Sequence, residues 1–214
     1  GYPRSVFIRA VEIGFLVLLY FGVLLELQYQ FKNAEFVDTL RSILIGIYNF
    51  IFLAGLIALA RQQKNQIFTY VVAALVGLMT FGYLVIYTSV IADARNILLR
   101  STGELNSGYY LHYVQLALFI GIVVYAIKYI KNNYGFKSMV GNYALWIASF
   151  IGVFVFSNEV VNLAIMSHYE IGGSISESLR FASKSTLPVA WAFTALVLMV
   201  SGMKYKLKTL RIAS

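Results

Sequence analysis

The chain has no cysteine, only two prolines in 214 residues, and charged side chains at 12% of positions. Without thiols it forms no disulfide framework, no zinc ribbon and no cysteine nucleophile. Scarce charge is the more telling lack, because soluble domains carry about 25% charged and about 45–50% apolar residues. Here 60% are hydrophobic and 16% aromatic, and the mean hydropathy is +0.76. Too little polar surface exists to cover a water-facing globule, which predicts an integral membrane protein. The same apolar excess excludes a disordered acidic or basic tail.

A bilayer core of about 30 Å needs roughly 20 apolar residues of helix, so the interval between successive charges is the useful ruler. Nineteen uncharged residues separate Arg41 from Arg61, 28 separate Lys64 from Asp93, 23 separate Glu104 from Lys128, 21 separate Lys137 from Glu159, and 19 separate Lys184 from Lys204. A sixth run, Val6 to Gln28, is broken by charges near its ends but has an uncharged centre from Ile13 to Leu25. The expected fold is all-α, a polytopic transmembrane bundle with spans at Val6–Gln28, Thr39–Ala60, Ile67–Ala92, Tyr109–Ile130, Met139–Met166 and Thr186–Met203. Barrel strands would be about 10 residues long with alternating polarity, a pattern this sequence lacks. The connecting segments are too short for a soluble catalytic domain. Pro188 is expected to mark the start of the sixth helix, where a missing N–H is harmless.

Charge sign gives an orientation. The N-terminus, the second and fourth loops and the C-terminus carry eleven bases and one acid, Glu12; the other side carries six bases and eight acids. The positive-inside rule then puts both termini in the cytoplasm, in a multi-pass protein expected in a bacterial inner membrane. The formal charge of +8 is read as topology and contact with anionic lipid at the cytoplasmic face, not as nucleic-acid binding, since no recognition motif accompanies it. No small-x-small cleavage pattern follows the first run, so it is expected to be a retained helix. A start at Gly1 and a stop at Ser214 suggest a piece of a longer protein.

Aligning Arg41 with Lys184 pairs a base and serine, then Tyr48 with Trp191, Phe50 with Phe193 and Arg61 with Lys204. The second and sixth helices resemble copies, and the six spans are read as three helical hairpins in one transmembrane domain over residues 1–214.

Acids at the end of a span are costly unless hydrated or paired, which singles out Glu26, Asp93 and Glu159. Glu159 lies between Asn158 and Asn162, which are one helical turn apart. These residues, with His112 as a possible partner of Glu159, are the candidates for a polar cavity open to the outer side. The structural alternative is that Glu159 and Asn162 bond to Arg180 or to neighbouring helices and fix packing. Asn49, mid-span, is read as an interhelical hydrogen bond. His112 and His168 lack metal-ligand spacing, and no motif calls for a cofactor. Tyrosines at span ends are interfacial anchors.

The last 30 or so residues, from Leu187-Pro188-Val189-Ala190-Trp191 through Gly202-Met203-Lys204 to Leu210-Arg211-Ile212-Ala213, resemble a bacterial family of large membrane proteins described as domain of unknown function 2339. The resemblance implies a long array of membrane helices, with a Trp-containing span leading through a basic turn into the next helix. It implies no site residues. The readings it leaves are a structural or assembly role in the bacterial cell envelope, a transporter or channel with an outward polar cavity, or a membrane enzyme acting on lipid-linked glycans.

Overall fold

The computed structural model describes residues 2–63, 65–100, 108–170 and 173–213, with side chains from residue 11 onward. Its helices are α1 (Tyr2–Asn33), α2 (Asp38–Gln63), α3 (Gln66–Arg100), α4 (Tyr109–Tyr134), α5 (Met139–His168), α6 (Ile175–Lys204) and a short α7 (Lys208–Ala213). No strand occurs among the described residues. Six of the helices are long and apolar enough to cross a membrane, so the protein is an all-α, multi-pass membrane bundle.

Local chemistry sets several ends. The side chain of Asn65 accepts from the Ile67 N–H at 3.0 Å to start α3, and Ser138 does the same for Gly141 at the start of α5. Such caps satisfy N–H groups that the first turn leaves orphaned. Gly135 closes α4 with φ of +72°, a conformation that favours glycine.

Two boundaries differ from expectation by eight residues or more. α3 continues to Arg100 instead of stopping at Ala92, and α6 begins at Ile175 instead of Thr186. The charge ruler measures only the lipid-embedded length, whereas a helix can run on through polar residues once it leaves the hydrocarbon. Pro188 therefore lies inside the continuous helix α6 but in the first turn of its regular α-helical stretch, Leu187–Lys204, the start at which it was expected. The π-helical turn Ala182–Thr186 directly precedes it, and the Leu187 N–H reaches back five residues to the Ala182 carbonyl. A wider turn accommodates a ring that has no N–H to offer and would crowd the carbonyl four residues back. A second π turn, Tyr83–Tyr87, interrupts α3.

The distribution of polarity is that of a protein dissolved in lipid. Leu18 is 73% exposed and Ile67 70%, whereas Arg95 is 5% and His112 0% exposed. Because lipid tails are as apolar as leucine, helix association here rests on close packing and interhelical hydrogen bonds. α2 packs against α1, α3 and α4, and α5 against α3, α4, α6 and α7. The core joins Ile43, Phe50 and Leu53 of α2, Tyr83 and Ile91 of α3, Phe119 of α4 and Ile151 of α5. Tyr83 stacks on Phe119 with centroids 4.2 Å apart. Helices α2 and α6, matched in sequence, sit in unlike surroundings: Phe50 is buried, while Phe193 is exposed.

α1 is the least embedded span, and none of its residues from 11 to 33 is buried. Tyr20 holds it, stacking on Tyr48 of α2 and donating from its hydroxyl to Asn49 Oδ1 at 3.0 Å. Asn49 in turn donates to the Tyr87 hydroxyl at 3.4 Å. Asn49 thus links α1, α2 and α3, the interhelical role read from its mid-span position.

Candidate functional site

A cavity of about 340 Å³ opens between α3, α5 and α6 near the end of the bundle where α3 finishes and α4 begins; its walls include Tyr83, Arg95, Asn96, Asn158, Glu159 and Asn162. Three of these, Asn158, Glu159 and Asn162, come from one stretch of α5. Tyr83 opens the π turn of α3, and Leu179 of α6, also in the wall, lies just before the other π turn. Both departures from regular helix therefore border the cavity, as π turns often do at functional sites.

Glu159 lines the cavity and His112 backs it. Gly108, at φ +62°, leads into a single 3₁₀ turn, Tyr109–Leu111, that brings the Tyr109 carbonyl onto Nδ1 of His112. Leu40 of α2 packs into the space that a Cβ at Gly108 would occupy. A carbonyl only accepts, so Nδ1 carries a hydrogen. The other ring nitrogen, Nε2, lies 3.3 Å from Glu159 Oε2. With Nδ1 turned to the carbonyl, Nε2 is the ring nitrogen that faces the carboxyl group. The pair joins a wholly buried ring to a cavity-lining carboxyl whose side chain is 17% exposed.

Arg95 is the second buried charge. Its Nη1 donates to Asn162 Oδ1 at 2.7 Å, and Nε and Nη2 both donate to Asn96 Oδ1, at 3.3 and 2.8 Å. Every one of these acceptors is a neutral amide. Among the described residues no carboxylate lies within ion-pair distance of the guanidinium, the ion pairs being Arg41 with Asp38 and His112 with Glu159. Beside it the Asn158 Nδ2 is buried without a hydrogen-bond partner.

Four of the six residues singled out in sequence belong to this site: Asn158, Glu159 and Asn162 line the cavity and His112 joins them through Glu159. Glu26 and Asp93 do not. Glu26 is exposed on α1 and accepts from Gln30 at 2.6 Å, and Asp93 is exposed on α3. Among the described residues Glu159 is the sole carboxylate in the cavity wall, so they do not assemble there the paired carboxylates that glycan hydrolysis ordinarily uses. Asn162 bonds to Arg95, not to the exposed Arg180. Among the described residues no group of three or more His, Asp or Glu side chains is placed to hold a metal ion.

Arg95, Asn96 and Gln115 were not singled out in sequence. Arg95 counts there as one more outer base, yet it is two residues beyond Asp93, about 200° around the helix. Asp93 facing out therefore turns Arg95 inward. Gln115 of α4 is fully buried against Gly46 of α2 and Tyr87 of α3, with both amide atoms unpartnered. An amide amid an uncharged 23-residue interval was its signal. Comparison with known proteins gives no matching family, no matching curated relative and no matching solved structure.

Proposed function

We propose that this bundle is a solute transporter that binds a small polar molecule in the α3–α5–α6 cavity and couples its passage to a proton held by His112 and Glu159. One observation carries the reading: a histidine–carboxyl pair and a buried guanidinium, drawn from α3, α4 and α5, converge on one cavity inside a membrane bundle. Ionisable groups within spans are expensive and mark substrate or proton pathways. Eleven bases against one acid at the opposite end support a cavity facing away from the cytoplasm, with both termini cytoplasmic and the basic end against anionic lipid of a bacterial inner membrane.

A structural or assembly role in the envelope is the second reading. It is favoured by the fact that each polar contact also joins two helices, α3 to α5 through Arg95–Asn162 and α4 to α5 through His112–Glu159.

Glu159→Gln separates the two. Its amide N–H can donate to Nε2 of the neutral imidazole, so the α4–α5 link persists while the exchangeable proton is lost. The variant should unfold at the wild-type temperature in detergent. In proteoliposomes loaded with a pH-sensitive dye, it should lose the proton movement that wild type shows when small polar solutes are added outside. Equal proton movement in both, or none in wild type, rejects the transport reading.

A further inference from the structure

We infer that the cavity binds a small monocarboxylate, held by the Arg95 guanidinium and the Asn158 amide. The inference rests on the transport reading for its physiological meaning, but it concerns binding alone.

The charge balance of the site comes first. Arg95 stays protonated, and among the described residues the acceptors of its hydrogen bonds are amides only, with no carboxylate within ion-pair distance. A buried charge without a counter-ion is unfavourable, and a single anion in the cavity would neutralise it.

Geometry selects among anions. A guanidinium has five N–H groups, of which the bonds to Asn96 and Asn162 use one on Nε, one on Nη1 and one on Nη2. One hydrogen is left on each terminal nitrogen, the number that a planar two-oxygen carboxylate takes in a bidentate contact. The unpartnered Asn158 Nδ2 supplies a further donor from the facing helix. A halide offers a single acceptor centre where a carboxylate offers two oxygens matched to two parallel N–H groups, and a cation would meet Arg95. Beyond the polar atoms, Tyr83, Ile91, Val155, Val161 and Leu179 line the remaining space, which suits the short hydrocarbon part of an organic acid.

The test uses the full chain in detergent, with acetate and pyruvate as probes, acetamide as the neutral isostere of acetate, and chloride at matched ionic strength. Acetate and pyruvate should raise the unfolding temperature and give saturable heats in calorimetry, with acetamide and chloride giving neither. Asn158→Asp, which fills the site with its own carboxylate, should weaken acetate binding at least about tenfold, as should Arg95→Lys, which keeps the charge but loses the fork. Asn158→Asp leaves the Arg95–Asn162 contact alone, so it reports on binding even if the Arg95 variant fails to fold. Equal effects of acetate and acetamide, displacement of acetate by chloride or by phosphatidylglycerol micelles, or unchanged binding in Asn158→Asp would each overturn the assignment. Carboxylate binding without coupled proton movement in vesicles would leave this inference standing and remove the transport reading. Proton movement driven by other solutes, with no carboxylate binding, would do the reverse.

Discussion

Arg95 and Asn162 lie 67 residues apart in the chain and meet at 2.7 Å, Nη1 of the one donating to Oδ1 of the other, in the interior of the bundle. The contact ties α3 to α5 and leaves a guanidinium at 5% exposure dependent on neutral acceptors. Asn162→Leu removes one of them at nearly constant volume and strands a charged donor. Hydrogen bonds to charged groups contribute about 1.5–3 kcal/mol, with the lower end usual in bilayers. Thermal or denaturant unfolding in detergent should show a loss of about 1–2 kcal/mol, and an unchanged midpoint would mean that water reaches Arg95 freely.

Gln115 presents the opposite case. It is fully buried, and neither amide atom has a partner. Burying an amide without compensation costs about 1–3 kcal/mol, so Gln115→Met, which keeps the length and discards the polar atoms, should stabilise the bundle by roughly 1 kcal/mol. Destabilisation would show that Gln115 has a bonding role, and the gain should appear equally in nanodiscs and in detergent.

The glycine facing Gln115 explains why this amide fits at all. A Cβ at Gly46 would overlap Nε2 of Gln115 and lie 2.6 Å from Cε1 of Tyr87, whereas at Gly55 on the same helix nothing lies within 4 Å. Gly46→Ala should therefore lower stability by about 1–3 kcal/mol through overpacking. Gly55→Ala should leave it unchanged or raise it by up to about 1 kcal/mol through helix propensity. Equal effects at the two positions would contradict the close α2–α4 approach.

What could be read from sequence follows from what each signal measures. Charge intervals report lipid-embedded length, so all six spans were legible while the polar extension of α3 to Arg100 and of α6 back to Ile175 was not. Residues of one helix face are legible from spacing, which is why Asn158, Glu159 and Asn162 were picked out together. Which other helix meets that face is a tertiary fact: His112, 47 positions from Glu159, could be named in sequence only as a possible partner, and Arg95, 67 from Asn162, was not singled out at all. The excess of acids at one end also divides once positions are known. Glu26, Glu35, Asp38, Asp93, Glu170 and Glu177 are exposed, Glu104 lies outside the described residues, and Glu159 alone lines the cavity.

Alternation of six spans puts Ala34 and Ser174 at one end of the bundle and Asn65 and Asn133 at the other. The chain has no cysteine, so single cysteines at these positions can be labelled by a membrane-impermeant reagent on intact spheroplasts. The distribution of bases predicts labelling at 34 and 174 only. Labelling of 65 and 133 instead would invert the orientation and turn the cavity towards the cytoplasm. Labelling of one member from each pair would break the six-span topology.

The π turn before Pro188 offers a test of cause. Regular α-helix would ask residue 188 to donate to the carbonyl of Lys184, which proline cannot do, and its ring would crowd that carbonyl. The structure has a five-residue return from Leu187 to Ala182 just upstream, with Ala182 fully buried. If the proline imposes this turn, Pro188→Ala restores the missing donor, and amide exchange across residues 182–188 should slow markedly. Stability should rise by about 1–3 kcal/mol, the range that removing an interior proline permits. The turn after Leu179 would also lose its extra residue, rotating the start of α6 by about 100° and moving Leu179 out of the cavity wall. Unchanged exchange would instead assign the π turn to the packing of Ala182 against α5, and the second π turn at Tyr83–Tyr87, which has no proline after it, would then share that cause.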